Sequence, residues 1–171
     1  MADLIVRDKL YIDGAWVASD GKDTIDVENP ATEEIIGRIP SGTAADVDRA
    51  VKAARAAQDD WAATSPEERG KYLSRLQDAI TARHGEIAKT IAQEMGAPIK
   101  ISEMVQAGLP IADIATAAQL ATTFEWERQI GNSTVVMEPL GVVGCITPWN
   151  YPLHQITAKI GATPVESKED R

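Results

Sequence analysis

Over the first forty positions, apolar residues come in short runs broken by turn-forming pairs. Leu10-Tyr11-Ile12 and Ala15-Trp16-Val17 flank Asp13-Gly14. An Asp-Gly pair between two such runs predicts a β-hairpin, because the tight primed turn needs positive φ. Ile25 and Val27 alternate with Asp26 and Glu28, as in a half-buried strand, and Asn29-Pro30 ends it. Residues 34–39 return as a further strand, stopped by Pro40. The period then lengthens. Thr43 and Asp46 have capping-box spacing, and Val47, Ala50, Val51, Ala54, Ala57 and Trp61 form one helical stripe behind them. Ser65-Pro66-Glu67-Glu68 opens a second helix with a cap, a first-turn proline and two acids. Its stripe continues through Leu73, Leu76, Ile80, Ile87, Ile91 and Met95, with a break at His84-Gly85 and a stop at Gly96 and Pro98. A third helical region is predicted over 102–122, interrupted near Pro110, which has no amide to donate.

After residue 123 the pattern changes again. Residues 124–130 and 134–138 pair as strands across Gly131-Asn132-Ser133. Residues 141–146, GVVGCI, show no polar alternation, which predicts a strand buried on both faces of a parallel sheet. Thr147-Pro148-Trp149-Asn150 reads as a turn, with Asn150 a candidate cap for a helix over 151–160. Strand, turn and helix make the opening of a βαβ unit. The expected fold is therefore α/β, with an N-terminal β and helical segment over 1–140 that includes a hairpin at 124–138. A first βα unit of a Rossmann-like sheet follows at 141–161. Residues 162–171, ATPVESKEDR, are polar and without period, and are expected to form a disordered tail.

Charge and composition narrow the function. The chain has 171 residues, of which 44% are apolar, and 17 basic residues stand against 26 acidic ones, a net charge of −9. That balance leaves no cationic excess for nucleic acid or for an anionic membrane surface. One cysteine excludes an intrachain disulfide, and His84 and His154 are too far apart in sequence for a paired-histidine metal motif, so no metal site is expected. No segment has the length and apolarity of a membrane span, and the charged first twenty residues leave no apolar region for a secretion signal. A reduced, cytoplasmic protein is the expectation.

The run Pro139-Leu140-Gly141-Val142-Val143-Gly144-Cys145-Ile146-Thr147-Pro148-Trp149-Asn150-Tyr151-Pro152 resembles a signature of the NAD(P)-dependent aldehyde dehydrogenases. The resemblance extends over residues 10–161 and takes in Tyr11-Ile12-Asp13-Gly14-Ala15-Trp16, Asn29-Pro30-Ala31-Thr32 and Ser65-Pro66-Glu67-Glu68-Arg69. It implies the N-terminal part of that fold, an NAD or NADP cofactor, an aldehyde substrate and homo-oligomerisation or self-association. By the same resemblance, Ile146, Thr147, Pro148, Trp149 and Asn150 line the cofactor pocket, and the Asn150 carboxamide stabilises the oxyanion formed when a cysteine thiolate attacks the aldehyde. Spacing alone would make Asn150 a helix cap and Trp149 a packing aromatic. Cys145 is not taken as the nucleophile: it falls in the apolar run, at a variable position of the signature. Its burial there would raise the thiol pKa. His154 is expected to pack or face solvent without a partner, and Glu28 and Glu94 to be solvated.

Past Gly161 the resemblance stops. The family's Lys-Pro-Ser-Glu strand, its glycine-rich helix start, its glutamate base and its catalytic cysteine have no counterpart in these residues. Two readings follow. In one, the chain belongs to an aldehyde-oxidising enzyme but is a truncated, inactive fragment of it. In the other, it is a non-catalytic remnant or interaction protein that associates with full-length relatives through the 124–138 hairpin.

Overall fold

The computed structural model describes residues 4–162 and 167–168, in an α/β arrangement with its core among the helices. Strands β1 (Ile5–Val6), β4 (Thr24–Asn29) and β5 (Glu34–Pro40) form one sheet, in which β5 lies between β1, parallel to it, and β4, antiparallel. Strands β2 (Lys9–Ile12) and β3 (Ala15–Ala18) make the hairpin that Asp13-Gly14 predicts. Both turn residues have positive φ, 54° and 73°, the requirement that made the pair legible. Tyr11 and Trp16 face each other across it, ring centroids 5.3 Å apart.

Helix α1 (Ala44–Ala62) begins at the expected capping box: Thr43 accepts from the Asp46 amide, and Asp46 accepts from the Thr43 amide. Asp46 does more than cap. Its carboxylate also accepts from the Ser19 hydroxyl at 2.7 Å, the Asp20 amide at 3.0 Å and Arg49 Nη2 at 2.6 Å. The loop after β3 is thereby tied to the helix start. Helix α2 (Pro66–Ala82) starts at Ser65 with proline at its first position. Helix α3 (His84–Met95) ends at Gly96, whose φ is +71°. A Cβ there would also come within 2.9 Å of Pro30, so both the conformation and the space call for glycine.

The third helical region starts earlier than expected and is not interrupted by a break. A short α4 (Ile99–Ile101) runs into a π-helical turn (Ser102–Ala107) and then α5 (Gly108–Thr123). Proline at 110 cannot donate to the Gln106 carbonyl, and the chain meets that loss with a wider turn rather than a break. Helices α2 and α5 pack on each other through Leu73, Ile80, Ile114 and Ala117. They approach closely at Gly70, where a Cβ would sit 3.2 Å from the Ala118 carbonyl oxygen.

The hairpin expected at 124–138 forms as β6 (Glu127–Ile130) against β7 (Ser133–Val136), extended by a bond from the Met137 amide to the Trp126 carbonyl. Residues 141–146 correct the sequence expectation: they carry no strand ladder, and 143–146 are exposed. A strand persists through hydrogen bonds to a neighbouring strand, and among the described residues none lies beside this run. The turn and helix that follow do form, with α6 (Pro152–Ala162) packed against α5. Of the tail expected at 162–171, Ala162 ends α6. Within it, β9 (Ser167–Lys168) pairs with β8 (Glu138–Pro139), so those two residues form a strand rather than the disordered chain expected. Residues 163–166 and 169–171 lie outside the described residues.

Candidate active site

Ile146, Thr147, Pro148, Trp149 and Asn150 form one continuous exposed corner immediately before α6. Ile146 is 89% exposed and Trp149 79%, so two large apolar side chains stand open to solvent beside the Thr147 hydroxyl and the Asn150 carboxamide. The packing role that spacing alone suggested for Trp149 is not what the structure shows. Nor is Asn150 the helix cap. The carbonyl of Tyr151 accepts the first helical bond, from the Gln155 amide at 2.9 Å, which puts Asn150 one residue outside the cap.

The corner is pinned at Asn150, and the helix after it is held separately. From the π-helical turn, Gln106 Nε2 donates to the main-chain carbonyl of Asn150 at 3.1 Å. From α5, the Asp113 carboxylate lies 2.6 Å from His154 Nδ1 and accepts from the Thr157 hydroxyl at 3.3 Å. A carboxylate only accepts, so the His154 proton sits on Nδ1 in this pairing. The expectation that His154 has no partner is thus overturned. Its partner stands 41 positions earlier, on a helix whose packing no local pattern reveals. The His154 ring also meets Tyr151 edge-on, at 6.0 Å between centroids. Behind this pair, Gly161 lets α6 settle onto α5, since a Cβ there would stand 3.3 Å from the Ala117 methyl.

Sequence reasoning missed Gln106 and Asp113. The available signal for Gln106 was its place four residues before Pro110, where the helix must change its hydrogen bonding.

Cys145 is exposed, not buried, so burial gives no ground for setting it aside as a nucleophile. Glu28 and Glu94 are exposed, and among the described residues no group of three His, Cys, Asp or Glu side chains comes together in a way that could hold a metal ion. A cavity of about 540 Å³ opens between α5, α6 and the residues flanking the hairpin, lined by Leu120, Phe124, Met137, Thr157 and Gly161 among others. It does not include the 146–150 corner. No described helix is long and apolar enough to cross a membrane.

The corner can do two things chemically. The Asn150 carboxamide can donate a hydrogen bond to negative charge developing on an oxygen, with the N-terminal end of α6 adding partial positive potential. The exposed Ile146 and Trp149 can take one side of a flat ring.

Comparison with known proteins gives a single picture. Residues 16–164 match the model of the aldehyde dehydrogenase family. A 3-succinoylsemialdehyde-pyridine dehydrogenase of a Pseudomonas species is 44% identical over 153 residues, covering 89% of this chain and 32% of that protein. An aldehyde dehydrogenase C mutant from Pseudomonas syringae, solved with NAD+ and octanal, superposes with a TM-score of 0.88 at 43% identity, over 92% of this chain and 33% of that one. A Mycobacterium tuberculosis aldehyde dehydrogenase complexed with NAD+ superposes with a TM-score of 0.91 at 34% identity, over 96% and 35%. The chain therefore spans about a third of the length of the relatives it matches.

Proposed function

The chain belongs to the aldehyde dehydrogenase family, and from that premise we propose that it supplies the oxyanion-binding corner and one cofactor wall for NAD(P)-dependent oxidation of an aldehyde to an acid. The observation that carries this reading is the corner itself. The residues most like the family signature fold into an exposed turn whose backbone is clamped and whose Asn150 side chain is left open. Asn150 donates its carboxamide N–H to the aldehyde oxygen as that oxygen gains charge during nucleophilic attack. Ile146, Thr147, Pro148 and Trp149 bound the nicotinamide side of the pocket.

The residues present fit part of a dinucleotide. Exposed apolar surface at Ile146 and Trp149 suits a ring. The phosphates need cationic or main-chain anchors. From 141 to 162 the only formal charge is Lys159, whose ammonium already donates to the Gln155 side chain at 2.8 Å. When bound, the cofactor supplies a hydride acceptor. This chain's contribution is to hold one face of it and to steady the charge on the substrate oxygen.

A nucleophile is also required. The sole cysteine, Cys145, sits in the coil five residues before Asn150 and corresponds to a variable position of the signature. The 171 residues on their own are therefore expected not to turn over aldehydes, which bears on the inactive-fragment reading. Incubating the purified chain with short-chain and aromatic aldehydes and NAD+ should yield no NADH, and calorimetry should find NAD+ binding weaker than low micromolar. Turnover that survives repurification and disappears in Asn150→Ala, or a low-micromolar dissociation constant, would overturn this.

A further inference from the structure

We propose that Gln106 is the positioning residue of the Asn150 corner, a role that rests on the oxyanion reading of Asn150 for its functional consequence but not for its geometry. Glutamine is ordinarily a surface residue, yet Gln106 is 4% exposed. Burying a primary amide is costly unless its polar atoms find partners. Its Nε2 finds one across 44 positions of sequence, the main-chain carbonyl of Asn150 at 3.1 Å. Among the described residues its Oε1 is buried without a partner. What this amide achieves is a fixed orientation for the peptide plane that leaves Asn150.

The local backbone explains how Gln106 reaches that carbonyl. It lies in the π-helical turn (Ser102–Ala107), four residues before Pro110. One extra residue in a helical turn advances the side chains that follow by about 100° around the axis. The phase of this element therefore changes at the point where it meets the start of α6. Holding the Asn150 carbonyl fixes the backbone from which its carboxamide projects. The Asp113 pairing with His154 holds the next turn of α6 but makes no bond to residue 150. Displacing an oxyanion donor by about 1 Å is enough to cost on the order of 10²-fold in rate, so a clamp on the donor's own peptide is a lever on catalysis without contact with substrate.

Two variants of the full chain separate this from a packing role. In Gln106→Glu the side chain keeps its shape. As a carboxylate it can only accept, and it faces a carbonyl; once protonated it donates again. Burial raises such a carboxyl above its ordinary value of about 4.3, so recovery is reached at mildly acid pH. Gln106→Leu can donate at no pH. The readouts are the NMR shifts of the Asn150 carbonyl carbon and the Tyr151 nitrogen. Wild type is titrated alongside because His154 and Asp113 lie one turn away, and the Ile114 and Ala117 signals report the fold. The Glu variant should show displaced corner signals near pH 8 that return to the wild-type positions on acidification, while the Leu variant stays displaced throughout. Wild type itself should show a scalar coupling through the hydrogen bond between Gln106 Nε2 and the Asn150 carbonyl carbon, a measurement that decides the matter if either variant fails to fold. Corner signals in the Leu variant that match wild type, displacement in the Glu variant without recovery on acidification, or no coupling in wild type would overturn the proposal. An intact clamp beside an Asn150 that proves dispensable for catalysis would sink the oxyanion reading alone. A missing clamp beside an essential Asn150 would sink only the role of Gln106.

Discussion

Asp46 concentrates more of the local architecture than any other side chain near the N-terminal sheet. It is 3% exposed and accepts from Ser19, Asp20, Thr43 and Arg49. The Ser19 hydroxyl leads in holding its carboxyl well below the ordinary carboxylate range, followed by the Thr43 amide, with desolvation opposing them. A group whose folded value lies below its unfolded value, about 3.9 for aspartate, stabilises the native state at neutral pH and loses that contribution as pH falls below about 4. Asp46→Ala should therefore lower Tm at pH 7. It should also flatten the decline of Tm as pH falls from about 4 to about 2, as measured by circular dichroism melts across that range. A variant whose acid sensitivity matches that of wild type would show that other carboxylates carry it. The exposed Arg38–Asp26 and Arg83–Glu86 pairs also lower their carboxyls, but screening by water leaves little stability in pairs of that kind.

Among the elements, α2 and α5 hold the core. Ile114 is fully buried between them, whereas Leu120 on the same helix is 45% exposed. Ile114→Ala should cost about 2–5 kcal/mol, the range for deleting a fully buried branched side chain, and Leu120→Ala clearly less. Chemical denaturation of the two variants checks this, and equal losses would place the core elsewhere. The elements legible in the sequence are those specified by local chemistry. Asp13-Gly14 demands a primed turn, Thr43 with Asp46 a capped start, Ser65-Pro66 a second start, and Gly96 a left-handed stop. What stayed hidden depends on distant partners. No local pattern shows that β1 lies parallel to β5, that Asp113 meets His154, or that residues 141–146 find no strand to pair with among the described residues. The π-helical turn lies between these cases, since Pro110 announces a disturbance without saying that the helix widens instead of breaking. The same division runs through the site. The Pro148-Trp149-Asn150 corner is legible because its motif is contiguous, whereas Gln106 acts across 44 positions.

For the whole molecule, helices carry the core while much of the apolar surface stays open. Tyr11, Trp16, Met104, Ile146 and Trp149 are each more than 60% exposed. Tyr11 with Trp16 across the hairpin, and Ile146 with Trp149 in the corner, are the exposed apolar pairs available for association. Against them stands a net charge of −9, which opposes association at low salt and is screened as salt rises. The chain is therefore expected to self-associate, more strongly at 0.5 M salt than at 0.05 M, as light scattering after size exclusion would show. A monodisperse monomer at both concentrations would mean that these side chains are covered in solution.

The oxyanion role of Asn150 is tested most directly by kinetics in a complete enzyme. Residues 10–161 of this chain would replace the matching third of the Pseudomonas syringae relative in its unmutated form, and NADH formation with octanal would be followed for the chimera with and without Asn150→Ala, after the unmutated relative itself has been shown to turn octanal over. An oxyanion donor acts on the transition state, so kcat should fall about 10²–10³-fold while KM changes far less. An unchanged kcat, or a loss confined to KM, would contradict the assignment.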